Sequence, residues 1–555
     1  MSSELPDGTS PKASTLKTPE GSPKSSQVSS QSTPRNGPHV RFGITEPISL
    51  QEPSDHDLAL TKRMMEELQV AFPAETSAGM AHRQSVLQEL EKIVKDWMTR
   101  IGVENGLSEE DAKHNTAKIT TLGSYRLGVV HPGSDIDTLC IGPPHVSRED
   151  FFSSFVDQLR RHEDLTECVP VPDAYTPIIK LKMRSVYIDL LFAGLVRPLI
   201  NGESPEDVAK DDDILRNMDE KSVRCMNGFR VADQILSLVP NQETFRRTLR
   251  FIKFWARQRG IYSNVLGFFG GITWSLLVAR VCQLYPHNAP NQLVKRFFRL
   301  YHQWNWTKPV MLCDIVDPMT VPGMSGYKVW NPKINPADRA HLMPVITPAF
   351  PSMNSTHNVT ETTKRILLEE FKRGYEVTMK VEASKAEWME VTATFPFFSQ
   401  FHSFLWIEIL SKQDEIFKKF SGYVESKLRI LTMQLEAVTG MIIHPNPVQY
   451  DLHGSDKEWP FGCGMFIAIM FSKEDGSFPG QTVDLRPALA PFLDVINQWS
   501  DRRAYGDQYL LRVKRIRSKD LPEYATAPEV AKKRPWSLAA AAANGNGAAK
   551  RARLS

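Results

Sequence analysis

The stretch LGSYRLGVVHPGSDIDTLCI, residues 122–141, decides the fold. Its second half carries Asp135 and Asp137 in an apolar run, and on an extended strand residues two positions apart point to the same face. The two carboxylates therefore project side by side, with Ile136 buried behind them. Neighbouring carboxylates repel each other, and burial raises their pKa values. A divalent cation removes that conflict, and Mg²⁺ prefers oxygen ligands of this kind.

The first half of the stretch supplies a turn. Gly123 and Ser124 offer backbone N–H groups and a hydroxyl that can approach phosphate oxygens. The turn and the acid pair together predict metal-assisted chemistry on a nucleoside triphosphate. A lone Asp-x-Asp also occurs at exposed strand ends and turns, and this stretch alone leaves that simpler interpretation open.

A third acid lies in a later apolar run, SVYIDLLFA at residues 185–193, which predicts a buried strand. Asp189 is its only charge, and a buried carboxylate is costly unless it is paired or bound to a metal. It is therefore the third candidate ligand. Three carboxylates from two strands would form a pocket for two metal ions, which suits in-line displacement at phosphorus. The alternative is a salt bridge to Lys180 or Lys182 on the neighbouring strand.

The composition is that of a folded protein. The chain has 555 residues, 41% of them hydrophobic and 24% charged, and the length suggests about three or four domains. Six cysteines without a C-x-x-C pair argue against a zinc ribbon and predict reduced thiols. The N-terminus has no apolar signal segment. The longest apolar stretch, residues 265–279, is too short to span a membrane and is predicted as a buried core helix.

Hydrophobic periodicity alternates between helices and strands around the acids. Helices are predicted at 54–68, 80–100, 148–162, 223–239 and 246–259, and strands at 117–121, 134–141, 174–183 and 185–193. The first of these helices begins at Ser54 or Asp55, which are suited to cap it.

The region from 376 to 509 has a different pattern. An apolar segment at 404–407, a long helix at 414–435 and a strand at 464–471 predict a separate α+β domain. A basic run at 510–519 ends it. Such runs bind phosphate backbones, although a solvated edge strand has the same pattern.

Polar residues suited to a nucleotide lie in and after the helix at 246–259. Lys253 is off the apolar face of that helix, so it can reach into a cleft. Tyr262 can stack on a base, Asn264 can read its polar edge, and Gly270-Gly271 allow close approach of a ligand. Each also has a simpler explanation: a solvated lysine, a tyrosine in the core and the entry of a helix.

The two ends of the chain are polar. Residues 1–42 are rich in Ser, Thr and Pro and too poor in large apolar residues to fold, which predicts a disordered tail. Residues 501–555 carry 13 Lys and Arg against 5 Asp and Glu, which favours contact with phosphate or an import receptor. Lys532-Lys533-Arg534 and Lys550-Arg551 with Arg553 predict a bipartite nuclear import signal.

Five blocks between Gly43 and Tyr524 resemble, in order, those of the nuclear poly(A) polymerases of eukaryotes, a branch of the nucleotidyltransferases that include DNA polymerase beta. They are LGSYRLGV…GSDIDTLCIGP, VYIDLLFA, IKFWARQRGIYSNVLGFFGG, ARVCQLYP and MPVITPAFPSMNSTHNV. The chain departs from the family at Leu122, where Phe is frequent, and at His131-Pro132-Gly133, where Thr-Lys-Gly is expected.

The resemblance implies an α+β multidomain fold. Its parts are a nucleotidyltransferase palm of mixed sheet and helices, a helical central domain and an RRM-like α/β-sandwich domain at the C-terminal end. The expected limits are a disordered tail at 1–42, a helical segment packing on the central domain at 43–84, the catalytic domain at 85–205, the central domain at 206–375, the RNA-binding domain at 376–524 and a basic tail at 525–555.

The resemblance also implies the site. Asp135, Asp137 and Asp189 are the expected catalytic metal ligands for two Mg²⁺ ions, with Mn²⁺ as a substitute. ATP contacts are expected from these acids and from Leu122, Gly123, Ser124, His131, Ile136, Lys180, Lys253, Tyr262, Asn264, Gly271 and Ile272.

The activity so implied is template-independent addition of AMP from ATP to the 3′ end of pre-mRNA, with release of pyrophosphate. The implied partners are RNA, ATP and the cleavage and polyadenylation factors, in the nucleus, with no membrane and a monomeric enzyme. Two alternatives stay open. A non-catalytic RNA-binding scaffold would be marked by a lost acid, and all three acids are present here. A uridylyl- or CTP-using transferase would share the acids.

Overall fold

The computed structural model describes residues 41–198, 204–452, 454, 456–471 and 483–526. The disordered tail predicted at 1–42, except for its last two residues, and the proposed import signal lie outside this part of the chain. Within it, no helix is both long and apolar enough to cross a membrane.

Five strands form the first sheet. They are β1 (Lys118–Thr121), β2 (Ile136–Gly142), β3 (Leu165–Val171), β4 (Ile178–Met183) and β5 (Val186–Gly194), in the order β1-β2-β5-β4-β3. Only β2 and β5 run parallel; the other neighbours are antiparallel. The apolar side chains of β2 alternate between two hydrophobic clusters: Ile136 and Cys140 face one, and Leu139 and Ile141 the other.

Helices cover both faces of this sheet. The helices before and within it are α1 (Asp55–Ala71), α2 (Ser77–Glu104), α3 (Glu109–His114), α4 (Gly123–Arg126), α5 (Arg148–Phe152) and α6 (Ser154–Arg160). Trp97 of α2, Phe151 of α5 and Phe155 of α6 pack on the face that holds Ile136. Ser54 caps α1 and shares a capping box with Asp57, which confirms the predicted start.

The middle of the chain is helical. Its helices are α7 (Pro205–Lys210), α8 (Glu220–Leu238), α9 (Gln242–Gln258), α10 (Gly271–Leu284), α11 (Pro290–Gln303), α12 (Pro336–Arg339), α13 (Glu361–Glu382), α14 (Trp388–Val391) and α15 (Phe397–Gln400). Phe229 of α8 packs on the second face of the first sheet. Trp255 of α9, Trp274 of α10 and Phe371 of α13 form an aromatic core.

The C-terminal part contains β6 (Ser403–Ser411), α16 (Asp414–Glu436), β7 (Met441–Asp451), β8 (Phe461–Phe471), α17 (Arg486–Ile496), α18 (Arg502–Tyr505), β9 (Tyr509–Arg517) and α19 (Glu523–Thr526). Its antiparallel sheet has the order β7-β8-β6-β9. Apart from the one-turn helices α18 and α19, the elements follow the β-α-β-β-α-β sequence of the predicted RRM-like fold.

Three predicted elements differ from the structure. The helix predicted at 265–279 begins only at Gly271, because Gly267 has φ +86° and Gly270 is the residue before the first turn. The helix predicted at 148–162 breaks at Ser153 into α5 and α6. The strand predicted from 174 begins at Ile178, after Pro177, which cannot donate to the ladder.

The strand β3 was not predicted from the sequence. Its residues LTECVPV include a charge and a proline, and the strand lies at the edge of the sheet, where both are tolerated.

Candidate active site

The register of the first sheet brings the three predicted acids together. Asp137 on β2 is the direct partner of Asp189 on β5, and Asp135 immediately precedes β2. One carboxylate oxygen from each of the three lies within 4.8 Å of the others. Ile136 is fully buried on the opposite face, as predicted. The pair is therefore part of a packed site, and not of an exposed turn.

The electrostatics of the cluster suit a divalent cation. Burial raises the pKa of Asp137 well above its usual value, and repulsion from Asp135 and Asp189 raises it further. Burial also raises the pKa of Asp189, to about 7, against the opposing attraction of Lys180. Three buried carboxylates at such short distances supply the oxygen ligands that a hard divalent cation prefers.

The predicted turn lies directly against the acids. The Leu122 N–H donates to the Asp137 carbonyl oxygen at 2.9 Å. Gly123 has φ +60°, and a Cβ on it would overlap Asp137 Oδ2. Glycine is therefore required at this point, because any side chain would enter the space beside the carboxylate. Ser124 is the next residue of this turn, in the first turn of α4.

The two lysines beside Asp189 have different roles. Lys180 is its register partner on β4 and lies on the same face of the sheet. Lys182 instead forms an ion pair with Glu167 at 3.7 Å, so the alternative of a Lys182–Asp189 salt bridge is wrong. Lys180 therefore lies beside the acids, and its contact with ATP stays a prediction.

A second cation comes from α9. Lys253 is 5% exposed, and burial together with the positive charge of Arg257 lowers its pKa to about 7. Asp137 and Asp135 oppose that shift, so the ammonium group lies within electrostatic reach of the acids. The alternative of a solvated lysine is therefore wrong, and contact of Lys253 with a bound nucleotide stays a prediction.

Arg257 is a site residue that the sequence analysis missed. Its Nη1 lies 2.8 Å from His131 Nε2, and its guanidinium carbon lies 5.1 Å from the centre of the Tyr262 ring. Burial raises the pKa of Asp135, and the positive charge of Arg257 partly opposes that rise. The available signal was its spacing, because Arg257 follows Lys253 by one helical turn and shares its face.

His131 is held neutral in this cationic corner. Burial lowers its pKa to about 3, and Arg257, Lys253, Arg83 and Arg250 add to the effect. The Gly133 N–H donates to His131 Nδ1 at 3.1 Å, and the Arg257 guanidinium lies beside Nε2 on the other side of the ring. Such a concentration of positive charge attracts an anion.

The segment after α9 forms the remaining wall. Asp135 and Asp137 act on the pKa of the half-buried Tyr262, which places this ring beside the acids. A Cβ on Gly271 would lie 2.7 Å from the Tyr262 hydroxyl oxygen, so glycine is needed for that approach. Asn264 is held through its backbone carbonyl oxygen, which accepts from Asn358 Nδ2 at 3.1 Å. Ile272, by contrast, packs against the helical core.

Comparison with known families and proteins gives a consistent result. Residues 43–239 match the poly(A) polymerase nucleotidyltransferase domain, residues 244–394 the poly(A) polymerase central domain, and residues 396–458 the poly(A) polymerase predicted RNA binding domain. The chain is 43% identical to nuclear poly(A) polymerase 1 of Arabidopsis thaliana over 83% of its length, and 42% identical to a poly(A) polymerase of Candida albicans over 73%.

The relatives differ in length. The chain covers 71% of the Candida albicans protein but 63% of the Arabidopsis thaliana protein and 59% of a Dictyostelium discoideum poly(A) polymerase that is 40% identical over 87% of this chain. Among solved structures, a cytoplasmic RNA terminal U-transferase matches 61% of this chain and 99% of its own at 15% identity, with a TM-score of 0.40. Nothing about function follows from a likeness at that level.

Proposed function

Because the chain belongs to the poly(A) polymerase family, we propose that it transfers AMP from ATP to the 3′-hydroxyl of RNA without a template and releases pyrophosphate. The observation that carries this proposal is the parallel register of β2 and β5. It sets Asp137 beside Asp189, with Asp135 next to them, and faces all three with cationic side chains.

The acidic cluster fits divalent metal ions. Asp135, Asp137 and Asp189 would hold two ions, for which we propose Mg²⁺, with Mn²⁺ as a substitute. Such ions neutralise phosphate charge and lower the pKa of an attacking hydroxyl. We assign to the Asp189 carboxylate, one of the three clustered acids, the acceptance of the proton from the RNA 3′-hydroxyl.

The cationic side of the site would take the triphosphate. Lys180, Lys253 and Arg257 surround the space in front of the acids. We assign to them the neutralisation of phosphate charge, and to the Gly123-Ser124 turn a contact to phosphate oxygens. A bound triphosphate would also restore the full charge of Lys253, because an anion next to an ammonium group raises its pKa.

The base would lie at the wall after α9. Tyr262 offers a ring for stacking, and Asn264 an amide for reading the polar edge of adenine. Nucleotide choice then comes from this pocket, which is consistent with transfer that needs no template.

The remaining parts of the proposal concern domains and partners. We propose the catalytic domain at 85–205, the central domain at 206–375 and the RNA-binding domain at 376–524, with β9 as a basic strand for the RNA backbone. We further propose a nuclear protein that acts with cleavage and polyadenylation factors, because relatives of this chain are named nuclear poly(A) polymerases.

A panel of nucleotides tests the proposed activity. The protein is incubated with a short labelled RNA, Mg²⁺ and each of the four NTPs separately. We expect extension with ATP and little with the others. Extension with UTP or CTP would show that the protein is a uridylyl- or CTP-using transferase instead. RNA binding without any extension would support a non-catalytic scaffold.

A further inference from the structure

A charged stripe runs along α16 in the C-terminal part of the chain. We define it as Lys418, Glu425, Arg429 and Glu436, whose spacings of seven, four and seven residues place them on one face of the helix. The apolar face of the same helix packs into the core through Phe417, Phe420, Val424, Leu428, Leu431 and Leu435. The charged stripe faces other parts of the molecule.

The first half of the stripe meets the first sheet. Lys418 Nζ lies 2.9 Å from Glu167 Oε2 on β3. Glu425, 8% exposed, lies within electrostatic reach of Lys180 on β4. These partners are close together, because β3 and β4 are neighbours and Lys180 pairs with Val169, two residues after Glu167.

The second half of the stripe, Arg429 and Glu436, contacts the segment at the start of α13. Glu436 Oε1 accepts from Thr360 Oγ1 at 2.5 Å and from the Thr362 N–H at 3.2 Å. Arg429 Nη1 donates to Asn358 Oδ1, and Asn358 Nδ2 donates to the Asn264 carbonyl oxygen at 3.1 Å. A chain of two hydrogen bonds thus connects α16 to the wall of the nucleotide site.

The middle member of that chain is fixed. Asn358 is 3% exposed, and its amide has one orientation that satisfies both neighbours, because a flip would set its NH₂ against the Arg429 guanidinium and its oxygen against the Asn264 carbonyl. The loop is also close-packed on it: a Cβ on Gly267, which has φ +86°, would lie 2.7 Å from the Asn358 carbonyl oxygen.

We propose that Arg429 is a positioning residue for nucleotide choice, which acts through Asn358 on Asn264. This inference rests on the proposed function, in which Asn264 reads the base. It gives the C-terminal part of the chain a task besides RNA binding: seated on the site, α16 holds the base-reading amide in place. Removal of the guanidinium leaves the Asn358 amide free to turn, and the Asn264 loop then loses a fixed support.

The test measures selectivity between two purine nucleotides. We compare wild type, Arg429→Met and Lys418→Met in the full chain, by kcat/KM for ATP and for GTP and by equilibrium binding of each nucleotide without RNA. Arg429→Met should lower the ATP-over-GTP ratio on the order of tenfold, with KM for RNA unchanged. Lys418→Met, from the same stripe but on the sheet side, should keep the wild-type ratio. Equal loss in both variants, or an effect confined to KM for RNA, would overturn the proposal.

A double variant separates positioning from general loosening. Asn264→Ala should lower the same ratio. Arg429→Met in that background should lower it no further, because Arg429 affects the ratio only through Asn264. Additive losses would show that Arg429 does not act through Asn264. Asn358→Ala, which removes the residue between Arg429 and Asn264, covers the case in which Arg429→Met fails to fold, and it should lower the ATP-over-GTP ratio as Arg429→Met does. If wild type transfers no AMP, the proposed function fails, and the binding ratio still decides the role of Arg429.

Discussion

Two clusters of buried charge show how differently a protein can treat ionised groups. Arg259 on the exit of α9 and Glu370 on α13 form a bidentate pair, with both N–O distances 2.8 Å, and Arg259 Nη1 also donates to the Ala393 carbonyl oxygen at 2.7 Å. This cluster is complete within the protein. The acids Asp135, Asp137 and Asp189 crowd like charges instead, and their pKa values are raised. A complete cluster supports the fold, whereas an incomplete one requires a ligand.

The largest expected effect comes from breaking the acidic cluster. Asp137→Ala should reduce AMP incorporation by more than about a thousandfold, because one carboxylate of the metal site is gone, while the fold and RNA binding persist. Primer extension and circular dichroism measure the two properties. Asp96→Ala, which removes an exposed carboxylate on α2, is the control and should retain activity. Substantial activity in Asp137→Ala would remove the basis of the assignment.

Breaking the complete cluster, the Arg259–Glu370 pair, should lower the stability of the fold. Glu370→Ala leaves Arg259 buried without its partner, so we expect a loss of about 3–5 kcal/mol in the free energy of unfolding. Denaturant titration measures it. Glu369→Ala, one residue before it, breaks an exposed ion pair with Arg365 and should lower the free energy of unfolding by less than about 1 kcal/mol. Equal costs would mean that burial of the Arg259–Glu370 pair has no energetic consequence.

Glu425 lies between the two cases, because it is a buried carboxylate with Lys180 within electrostatic reach. Burial raises its pKa from 4.5 to about 7, so the folded state binds its proton more tightly than the unfolded state. Its contribution to stability is therefore complete below about pH 4.5 and is lost as the pH rises through 7. As the pH rises between those limits, the free energy of unfolding of the wild type should fall by up to roughly 3 kcal/mol more than that of Glu425→Gln.

Urea unfolding at a series of pH values from 4.5 to 8 checks this difference. Glu415→Gln, an exposed change on the same helix, should leave the pH dependence as in wild type. Parallel curves for wild type and Glu425→Gln would contradict the prediction.

The smallest effect is expected from removing exposed positive charges of β9. Arg515→Gln with Arg517→Gln should weaken RNA binding a few-fold and reduce the slope of log K against log salt by about 1.4, or 0.7 for each phosphate contact. Lys92→Gln, on the exposed side of α2, serves as the control. An unchanged slope would mean that β9 is a solvated edge strand, as its pattern also allows.

The sequence identified the parts of the site that lie in single stretches. Asp135 and Asp137 are two apart, and Asp189 is the only charge of an apolar strand, so local patterns were sufficient for all three. The register that sets Asp137 beside Asp189 belongs to a pair of parallel strands far apart in the chain, and no local pattern contains it.

Other features depended on contacts between distant segments. Arg259 and Glu370 are 111 residues apart, and Asn358 is 94 residues from Asn264, so neither contact has a sequence signature. The start of α10 was misplaced because the apolar run continues through Gly267 and Gly270, where backbone conformation, not hydropathy, ends the turn. Arg257 was missed because the helical spacing from Lys253 was read only for apolar residues.

Thermal unfolding with and without Mg²⁺ tests the central claim most directly. Without metal, Asp137→Ala should melt at a higher temperature than wild type, because repulsion within the acidic cluster is relieved. With millimolar Mg²⁺ and ATP, the wild type should gain stability through binding and the variant should gain much less, which reverses the order. If both proteins respond equally to Mg²⁺ and ATP, the three aspartates are not the metal site.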